Sequence, residues 1–200
     1  LATKAVRRSL RKWARELNSP LHEGVPLASR AIREWGEGVC AIYADASGEQ
    51  GWMAWSEHNG ELLFTDGVWN EAVKGLPICD KELLASTWGL VALAPWTGAH
   101  QVMSFTDNTV AQAAMRSHTP SAAAMAHLVE RRSEWLLERG YLESVHRITS
   151  KANLWADMGS RGDTGGVLLQ ALALGYKPRR LEVDEEWLRL AADAAQIRER

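Results

Sequence analysis

The stretch "GWMAWSEHNGELLFTD" (residues 51–66) sets the fold class, because it predicts a β-hairpin. Two β-leaning runs, 51–56 and 61–66, flank a His-Asn-Gly turn at 58–60, and Asn-Gly is the strongest short-range signal for a hairpin. The preceding run, "VCAIYADAS", is short and mostly apolar and stops at Asp45, as a buried strand does. Together these segments predict a three-stranded antiparallel meander.

Helices and strands alternate after this hairpin. The stretch "CDKELLASTWGLVALAPW" (79–96) predicts a helix with Asp80 as its N-cap and Pro95 as its stop. "QVMSFTDN" (101–108) predicts a strand that ends on Asp107. The remaining pattern predicts helices at 109–116, 120–140, 152–160 and 184–198 and a strand at 141–148. We expect an α/β fold with a mixed five-stranded sheet, in which parallel strands extend the meander and helices cover both faces.

The composition is that of an ordinary globular protein, since 46% of the 200 residues are apolar and 24% are charged. No apolar run approaches the roughly 20 residues that cross a bilayer, and no stretch resembles a signal peptide. Cys40 and Cys79 have no CxxC spacing, which favours free thiols in a reducing compartment. We expect an intracellular protein, cytoplasmic or nuclear, that does not bind a membrane.

The first 17 residues are strongly basic, although the whole chain has a net charge of −2. Glu16 is the only acidic residue among them, so their local charge is +5. The basic residues are Lys4, Arg7, Arg8, Arg11, Lys12 and Arg15. Helical spacing of apolar residues over 2–17 predicts an amphipathic helix, whose basic side chains either bind phosphates or form a solvated face. We divide the chain into this helix with its connector (1–35), a central domain (36–162) and a C-terminal helical extension (163–200).

Four carboxylates occupy positions that favour a metal site. Asp45 and Asp107 each end a strand, and loops at the ends of parallel neighbouring strands are where α/β sheets place their sites. Glu82 and Asp157 each lie near the start of a helix that can approach the same point. Clustered carboxylates repel one another, and this repulsion raises their pKa values. A bound Mg²⁺ or Mn²⁺ would relieve the repulsion.

Each of these carboxylates also has a purely structural interpretation. Glu82 can interact favourably with the helix dipole near the N-terminus of its helix. Asp107 can cap the following helix, and Asp45 can belong to a turn. Asp157 can pair with Arg161 four residues later. It is the joint arrangement that favours the metal site.

Four motifs, in this order, resemble ribonuclease H domains. "YADASGEQGWMAW" (43–55) is similar to their first strand and turn, and "KELLASTWGL" (81–90) to their metal-binding helix. "SFTDNTVAQAAM" (104–115) and "VHRITSKANLWADMGSR" (145–161) resemble the corresponding motifs of retroelement domains linked to reverse transcriptase. The resemblance covers residues 39–161 and is nearest to retroelements of the DIRS and gypsy kind.

This resemblance implies the ribonuclease H fold for 36–162 and hydrolysis of the RNA strand of RNA–DNA hybrids by a two-metal mechanism. The ions would be two Mg²⁺, with Mn²⁺ as a substitute. Asp45 would bridge both ions, Asp157 would complete the site of the ion that activates water, and Glu82 and Asp107 would hold the ion on the leaving-group side. The products would carry 3′-hydroxyl and 5′-phosphate ends. The chain would belong to a retroelement polyprotein, with a polymerase domain as a partner.

Several side chains near these motifs are candidates for contacting the substrate. Trp155 either stacks on a base or packs in the core, and Asn153 is expected to steady the turn before Asp157. The histidine that cellular ribonucleases H carry before the last aspartate is absent from the "TSK" turn (149–151). Arg116 and the basic N-terminal helix are further sources of substrate contact. The candidates are Asn108, Thr109, Lys151, Asn153, Trp155 and Arg161.

Two other functions remain open. A nuclease or integrase of the same superfamily would act on DNA, although integrases usually place a glutamate on a long helix where this chain has Asn-x-x-Ala-Asp. A catalytically silent domain would bind a hybrid or a partner chain. Neutralising Asp107 discriminates between these classes, because a binding domain should tolerate the change and an enzyme should not.

Overall fold

A computed structural model describes residues 38–117 and 120–199 of the chain, so the helix expected at 2–17 and its connector lie outside the described residues. The strands are β1 (Val39–Ala46), β2 (Gly51–His58), β3 (Glu61–Val68), β4 (Gln101–Thr106), β5 (Leu142–Arg147) and β6 (Lys177–Arg180). They form one sheet in the order β5-β4-β1-β2-β3-β6. The mixed α/β fold is confirmed, with a sheet of six strands rather than five.

The meander and its parallel neighbour bring two strand ends together. In the hairpin turn, Asn59 (φ 52°) and Gly60 (φ 77°) both have positive φ, as a type I′ turn requires. β4 pairs with β1 in parallel, with Tyr43 opposite Phe105. Asp45 and Asp107, each two residues further along, therefore lie at the same end of the sheet.

Helices pack on both faces of the sheet, as expected. They are α1 (Glu71–Lys74), α2 (Ile78–Thr97), α3 (Thr109–Ser117), α4 (Ala123–Glu138), α5 (Leu154–Ser160), α6 (Thr164–Ala173), α7 (Glu185–Leu188) and α8 (Leu190–Arg198). α2 packs across β1 and β2 over the larger core, whereas α5 and α6 cover a small core that includes Met53 and Phe64. Within the described residues, no helix combines the length and apolarity needed to cross a bilayer.

The boundaries of α2 differ from those expected. The helix begins at Ile78 and continues through Pro95 to Thr97, and it ends at Gly98, whose φ is 64°. The prediction that Asp80 caps this helix and Pro95 stops it is therefore wrong. Pro95 forgoes the hydrogen bond to the carbonyl four residues earlier, but it stands in the last turn, where little helix follows it. The left-handed glycine provides the stop.

The C-terminal segment contributes a strand as well as helices. β6 pairs in parallel with β3 at the edge of the sheet, although its sequence, Lys-Pro-Arg-Arg, lacks the β-branched and aromatic residues that signal a strand. α8 is anchored on α2, because Arg198 donates to the buried carboxylate of Asp80 from Nε at 2.7 Å and from Nη2 at 3.1 Å. Trp88 of α2 also donates to the carbonyl of Trp187 at 2.8 Å. These contacts place residues up to 198 in the same compact unit as the sheet.

A buried ion pair joins α4 to the sheet. Arg132 is 1% exposed and donates to the Glu143 carboxylate of β5 from Nε at 3.1 Å and, in a shorter bond, from Nη2. The same guanidinium donates to Ser104 Oγ on β4 at 3.0 Å and to Thr87 Oγ1 on α2 at 3.2 Å. This network therefore ties together the elements beneath the strand that leads to Asp107.

Replacing Arg132 by Ala is expected to lower the free energy of unfolding by about 3–5 kcal/mol, because it leaves the buried Glu143 carboxylate without its charged partner. Urea unfolding at neutral pH measures the loss. The neighbouring Arg131 is a matched control, since it is 35% exposed and pairs with Glu134 and Glu186 near the surface. Arg131→Ala should cost about 1 kcal/mol or less, and equal losses in the two variants would contradict the interpretation.

Candidate metal centre

Three carboxylates converge where β1 and β4 end. Asp45 lies near the end of β1, Asp107 directly follows β4, and Glu82 projects from the first turns of α2. One carboxylate oxygen from each residue lies within 4.8 Å of the others. The convergence follows from the parallel pairing of β1 with β4 and from the packing of α2 across both strands.

Burial and mutual repulsion raise the pKa values of two of these groups. Glu82 is 4% exposed, and loss of solvation, followed by the charges of Asp45 and Asp107, raises its pKa to about 9. Loss of solvation also raises the pKa of Asp45 to about 6, with a smaller opposing effect from a hydrogen bond with Ser160. Full ionisation of the cluster at neutral pH therefore requires a compensating positive charge.

The arrangement of oxygen ligands fits a hard divalent cation. Among the described residues, Glu82 Oε2 is buried and has no hydrogen-bond partner, whereas buried polar atoms normally have one. Carboxylate oxygens are ligands that Mg²⁺ and Mn²⁺ favour in proteins. A cation among the three carboxylates would satisfy the unpaired oxygen and relieve their repulsion.

The fourth carboxylate, Asp157, lines the same cleft but pairs with a residue of its own helix. Its Oδ1 accepts a hydrogen bond from Arg161 Nε at 2.9 Å, and Arg161 Nη2 also lies at 2.9 Å. The ion pair considered from the sequence is therefore present. Asp157 lies outside the group of three oxygens within 4.8 Å, yet its charge is near enough to raise the pKa of Asp45.

Two hydrogen bonds fix α5 against β1 beside the cluster. Asn153, just before α5, is fully buried and donates from Nδ2 to the carbonyl of Ala44 at 3.0 Å. Ser160, at the other end of α5, donates from Oγ to Asp45 Oδ2 at 2.6 Å. Asn153 thus holds the turn before Asp157, and its burial contradicts the expectation that it contacts a substrate.

The carboxylates open into a cleft of about 690 Å³. Two arginines line this cleft, Arg147 at the end of β5 and Arg161 just after α5. Ser150 also lines it and donates to Asp107 Oδ2 at 2.6 Å. The cleft therefore combines an acidic floor with basic side chains at its margin, an arrangement suited to cations and to a phosphodiester backbone.

The other substrate candidates from the sequence differ in position. Asn108 and Thr109 line the cleft, and Asn108 Oδ1 also accepts hydrogen bonds from the first amides of α3 at 3.0 Å. Lys151 is exposed but does not line the cleft. Trp155 packs against Trp55 with ring centroids 5.0 Å apart, so the structure favours the core interpretation for this residue.

Sequence reasoning missed three residues near the carboxylates. Arg147 pairs in register with Thr106, the residue before Asp107, so the rule that sites form at the ends of parallel strands could have identified it. Ser150 and Ser160 act through hydrogen bonds to carboxylates 43 and 115 residues away in the sequence. No local pattern signals such contacts.

Comparison with known proteins identifies the fold. No protein-family model matches the chain, and no curated protein matches it. Among solved structures, a ribonuclease H1 from the halophilic archaeon Halobacterium salinarum NRC-1 matches with a TM-score of 0.51 and 13% identity, over 66% of this chain and 99% of that chain. The N-terminal ribonuclease H domain of a Mycobacterium tuberculosis protein, solved as a fusion with maltose binding protein, matches with a TM-score of 0.44 and 14% identity, over 68% and 99%. The first likeness shows that the chain has the fold of ribonuclease H.

Proposed function

We propose that this chain, with its ribonuclease H fold, is a metal-dependent endoribonuclease that hydrolyses the RNA strand of RNA–DNA hybrids. One observation carries the proposal: the carboxylates of Asp45, Glu82 and Asp107 converge within 4.8 Å, with Glu82 Oε2 buried and unpaired among the described residues. A fold needs no such cluster for its stability, because the ionised groups repel one another. A cation-dependent reaction explains why the cluster is there.

In this proposal Asp45, Glu82, Asp107 and Asp157 hold two Mg²⁺ ions, for which Mn²⁺ can substitute. Divalent ions held there would lower the pKa of a bound water and would offset the charge that develops on the leaving oxygen. Ser160 keeps the Asp45 carboxylate oriented through its hydrogen bond at 2.6 Å. Ser150 does the same for Asp107, so both strand-end carboxylates are oriented before a substrate arrives.

The proposed substrate contacts come from the margin of the cleft. Arg147 and Arg161 would pair with backbone phosphates, as guanidinium groups do. Thr109 and Asn108 line the cleft beside Asp107, and the exposed Lys151 would contact the strand beyond the cleft. The four motifs that resemble retroelement domains support a role within a reverse-transcribing polyprotein, with a polymerase domain as a partner.

Cleavage of a labelled RNA–DNA hybrid in Mg²⁺ and in Mn²⁺ tests this function. Single-stranded RNA, duplex RNA and duplex DNA are the substrate controls, and Asp107→Asn is the protein control. We expect hybrid-specific cutting that requires a divalent cation and is lost in the variant. Cutting of duplex DNA instead would indicate a DNA nuclease of the same fold, and tight hybrid binding without cutting would indicate a binding domain.

A further inference from the structure

Lys81 is a buried cation that the proposed reaction does not use. It precedes Glu82 on α2, and only 2% of its surface is exposed. Its Nζ donates to the carbonyl oxygen of Gly48 at 2.5 Å and to that of Lys74 at 2.7 Å. Burial lowers its pKa. Burying an ammonium group is costly unless it is hydrogen-bonded. The two carbonyl groups that accept its hydrogen bonds are therefore the backbone positions that Lys81 holds in place.

One of those partners belongs to the β1–β2 turn (residues 47–50), which begins two residues after Asp45. Ser47 closes this turn, because its Oγ accepts hydrogen bonds from the amides of Gln50 and Gly51 at 2.9 and 2.8 Å. The turn is therefore a compact unit. Its backbone can be oriented as a whole by contacts from outside.

Two such contacts hold successive carbonyls of the turn. Trp69 Nε1 donates to the carbonyl of Ser47 at 2.8 Å, and Lys81 Nζ donates to the carbonyl of Gly48. Lys81 also lies 5.9 Å from the centroid of the Trp69 ring. Both donors therefore approach the turn from the same side, where α1 and α2 meet.

This orientation determines where the amide groups of the turn point. No described peptide bond is cis, and in a trans peptide the N–H group points opposite to the C=O group. The amides of Gly48 and Glu49 follow the two held carbonyls and so point away from Lys81. Neither donates a hydrogen bond to a described residue, and Gly48 lines the cleft. Successive unpaired backbone amides of this kind form a binding site for an anion.

We infer that Lys81 is a positioning residue that holds the β1–β2 turn so that the amides of Gly48 and Glu49 bind a backbone phosphate of the nucleic-acid strand in the cleft. The inference rests on the proposed function for the identity of the ligand. The ammonium group of Lys81 then serves substrate binding through the turn. It does not act on the carboxylates, and its role is not stability alone.

The first test compares Lys81→Met, which keeps the aliphatic stem but has no donors, with Lys74→Met as the control. The Lys74 side chain is 40% exposed and pairs only with Glu71 among the described residues. Hydrogen exchange of the Gln50 and Gly51 amides, measured without any nucleic acid, should accelerate about tenfold or more in Lys81→Met. It should stay unchanged in Lys74→Met. Unchanged exchange in Lys81→Met would refute the positioning role, whether or not the protein cleaves a hybrid.

The second readout is the affinity for a fluorescent RNA–DNA hybrid, measured by anisotropy in EDTA so that cleavage does not occur. Lys81→Met should bind about tenfold more weakly, in line with the loss of hydrogen bonds to a charged group. In steady-state kinetics its KM should rise while kcat changes little, and Lys81→Arg, which retains donors, should recover part of the affinity. Faster exchange with unchanged affinity and KM would show that the turn is held but does not bind the strand.

A further variant keeps the inference testable if Lys81→Met does not fold. Glu49→Pro removes one of the two amide donors at an exposed position and leaves Lys81 intact, and Glu49→Gln controls for the lost charge. We expect Glu49→Pro to bind the hybrid about fivefold more weakly than Glu49→Gln, and equal affinities would contradict the proposed phosphate contact. A wild type that neither binds nor cleaves a hybrid in Mg²⁺ would refute the proposed function, while the exchange measurement would still decide the role of Lys81.

Discussion

Asp45→Asn is expected to lower kcat for hybrid cleavage about a thousandfold. Asp45 lies between the β4 end and α5, and it is the carboxylate whose pKa is raised by both Asp107 and Asp157. An amide at this position cannot supply the anionic oxygen that would hold the proposed cations. Losing their charge stabilisation of the transition state costs several kcal/mol, and about 4 kcal/mol corresponds to this change in rate. Initial-rate measurements in saturating Mg²⁺ give the comparison.

The fold should survive this substitution, which separates a catalytic from a structural role. Ser160 Oγ can still donate to the oxygen of an asparagine at this position, and one buried negative charge is removed. Asp66→Asn is the control, because Asp66 lies on β3 and pairs with Arg180 and Thr164 instead. It should retain cleavage within a few-fold. A cleaving Asp45→Asn, or an inactive Asp66→Asn that remains folded, would argue against the proposed site.

The stability of the metal-free protein is expected to fall as the pH rises from about 5 to about 9. The pKa of Glu82 is raised from 4.5 to about 9 in the folded protein, so the folded state binds more protons than the unfolded state throughout this window. Stability therefore decreases with pH, by at most about 1.4 kcal/mol per pH unit from this group. Above about pH 9 the loss is complete. Urea unfolding in EDTA at a series of pH values measures the slope.

Glu82→Gln should remove most of this slope, because glutamine resembles the protonated glutamic acid. The variant should be more stable than the wild type at pH 8 in EDTA by a few kcal/mol, and it should have lost cleavage. Adding Mg²⁺ should stabilise the wild type and have a much smaller effect on the variant. Glu138→Gln, at a 73% exposed side chain of α4, is the control and should follow the wild type. A wild-type stability that is flat across the window would contradict the assigned pKa.

Local sequence patterns predict those parts of the candidate site that depend on strand ends and helix starts. Asp45 and Asp107 each stand at the end of a β-leaning run, which identifies them as candidates. The helix between the two runs predicts a crossover connection, and hence the parallel pairing of β1 with β4. Glu82 was identified by its place in the first turns of a helix. These features follow from the period of strands and helices and from chain connectivity, which a single sequence contains.

The remaining features depend on tertiary contacts that no local pattern encodes. β6 is recruited by an open edge of β3 rather than by its own strand propensity. Asp80 has the appearance of an N-cap, but its partner Arg198 is 118 residues away. Arg132 is an intermediate case, because it lies on the helical stripe of Leu128 and Trp135. That spacing could have identified it as buried, whereas its partner Glu143 could not be inferred.

The hydrogen bonds that fix α5 also determine when the site can form. Asn153 bonds to Ala44 across 109 residues and Ser160 to Asp45 across 115. Loops of this length close slowly, because their entropy must be lost before the contacts are gained. The meander and α2 can assemble as soon as they leave the ribosome, but α5 must wait until the residues up to Ser160 have been synthesised. We therefore expect a nascent chain to acquire its acidic cleft late, after the strands that carry Asp45 and Asp107 have already paired.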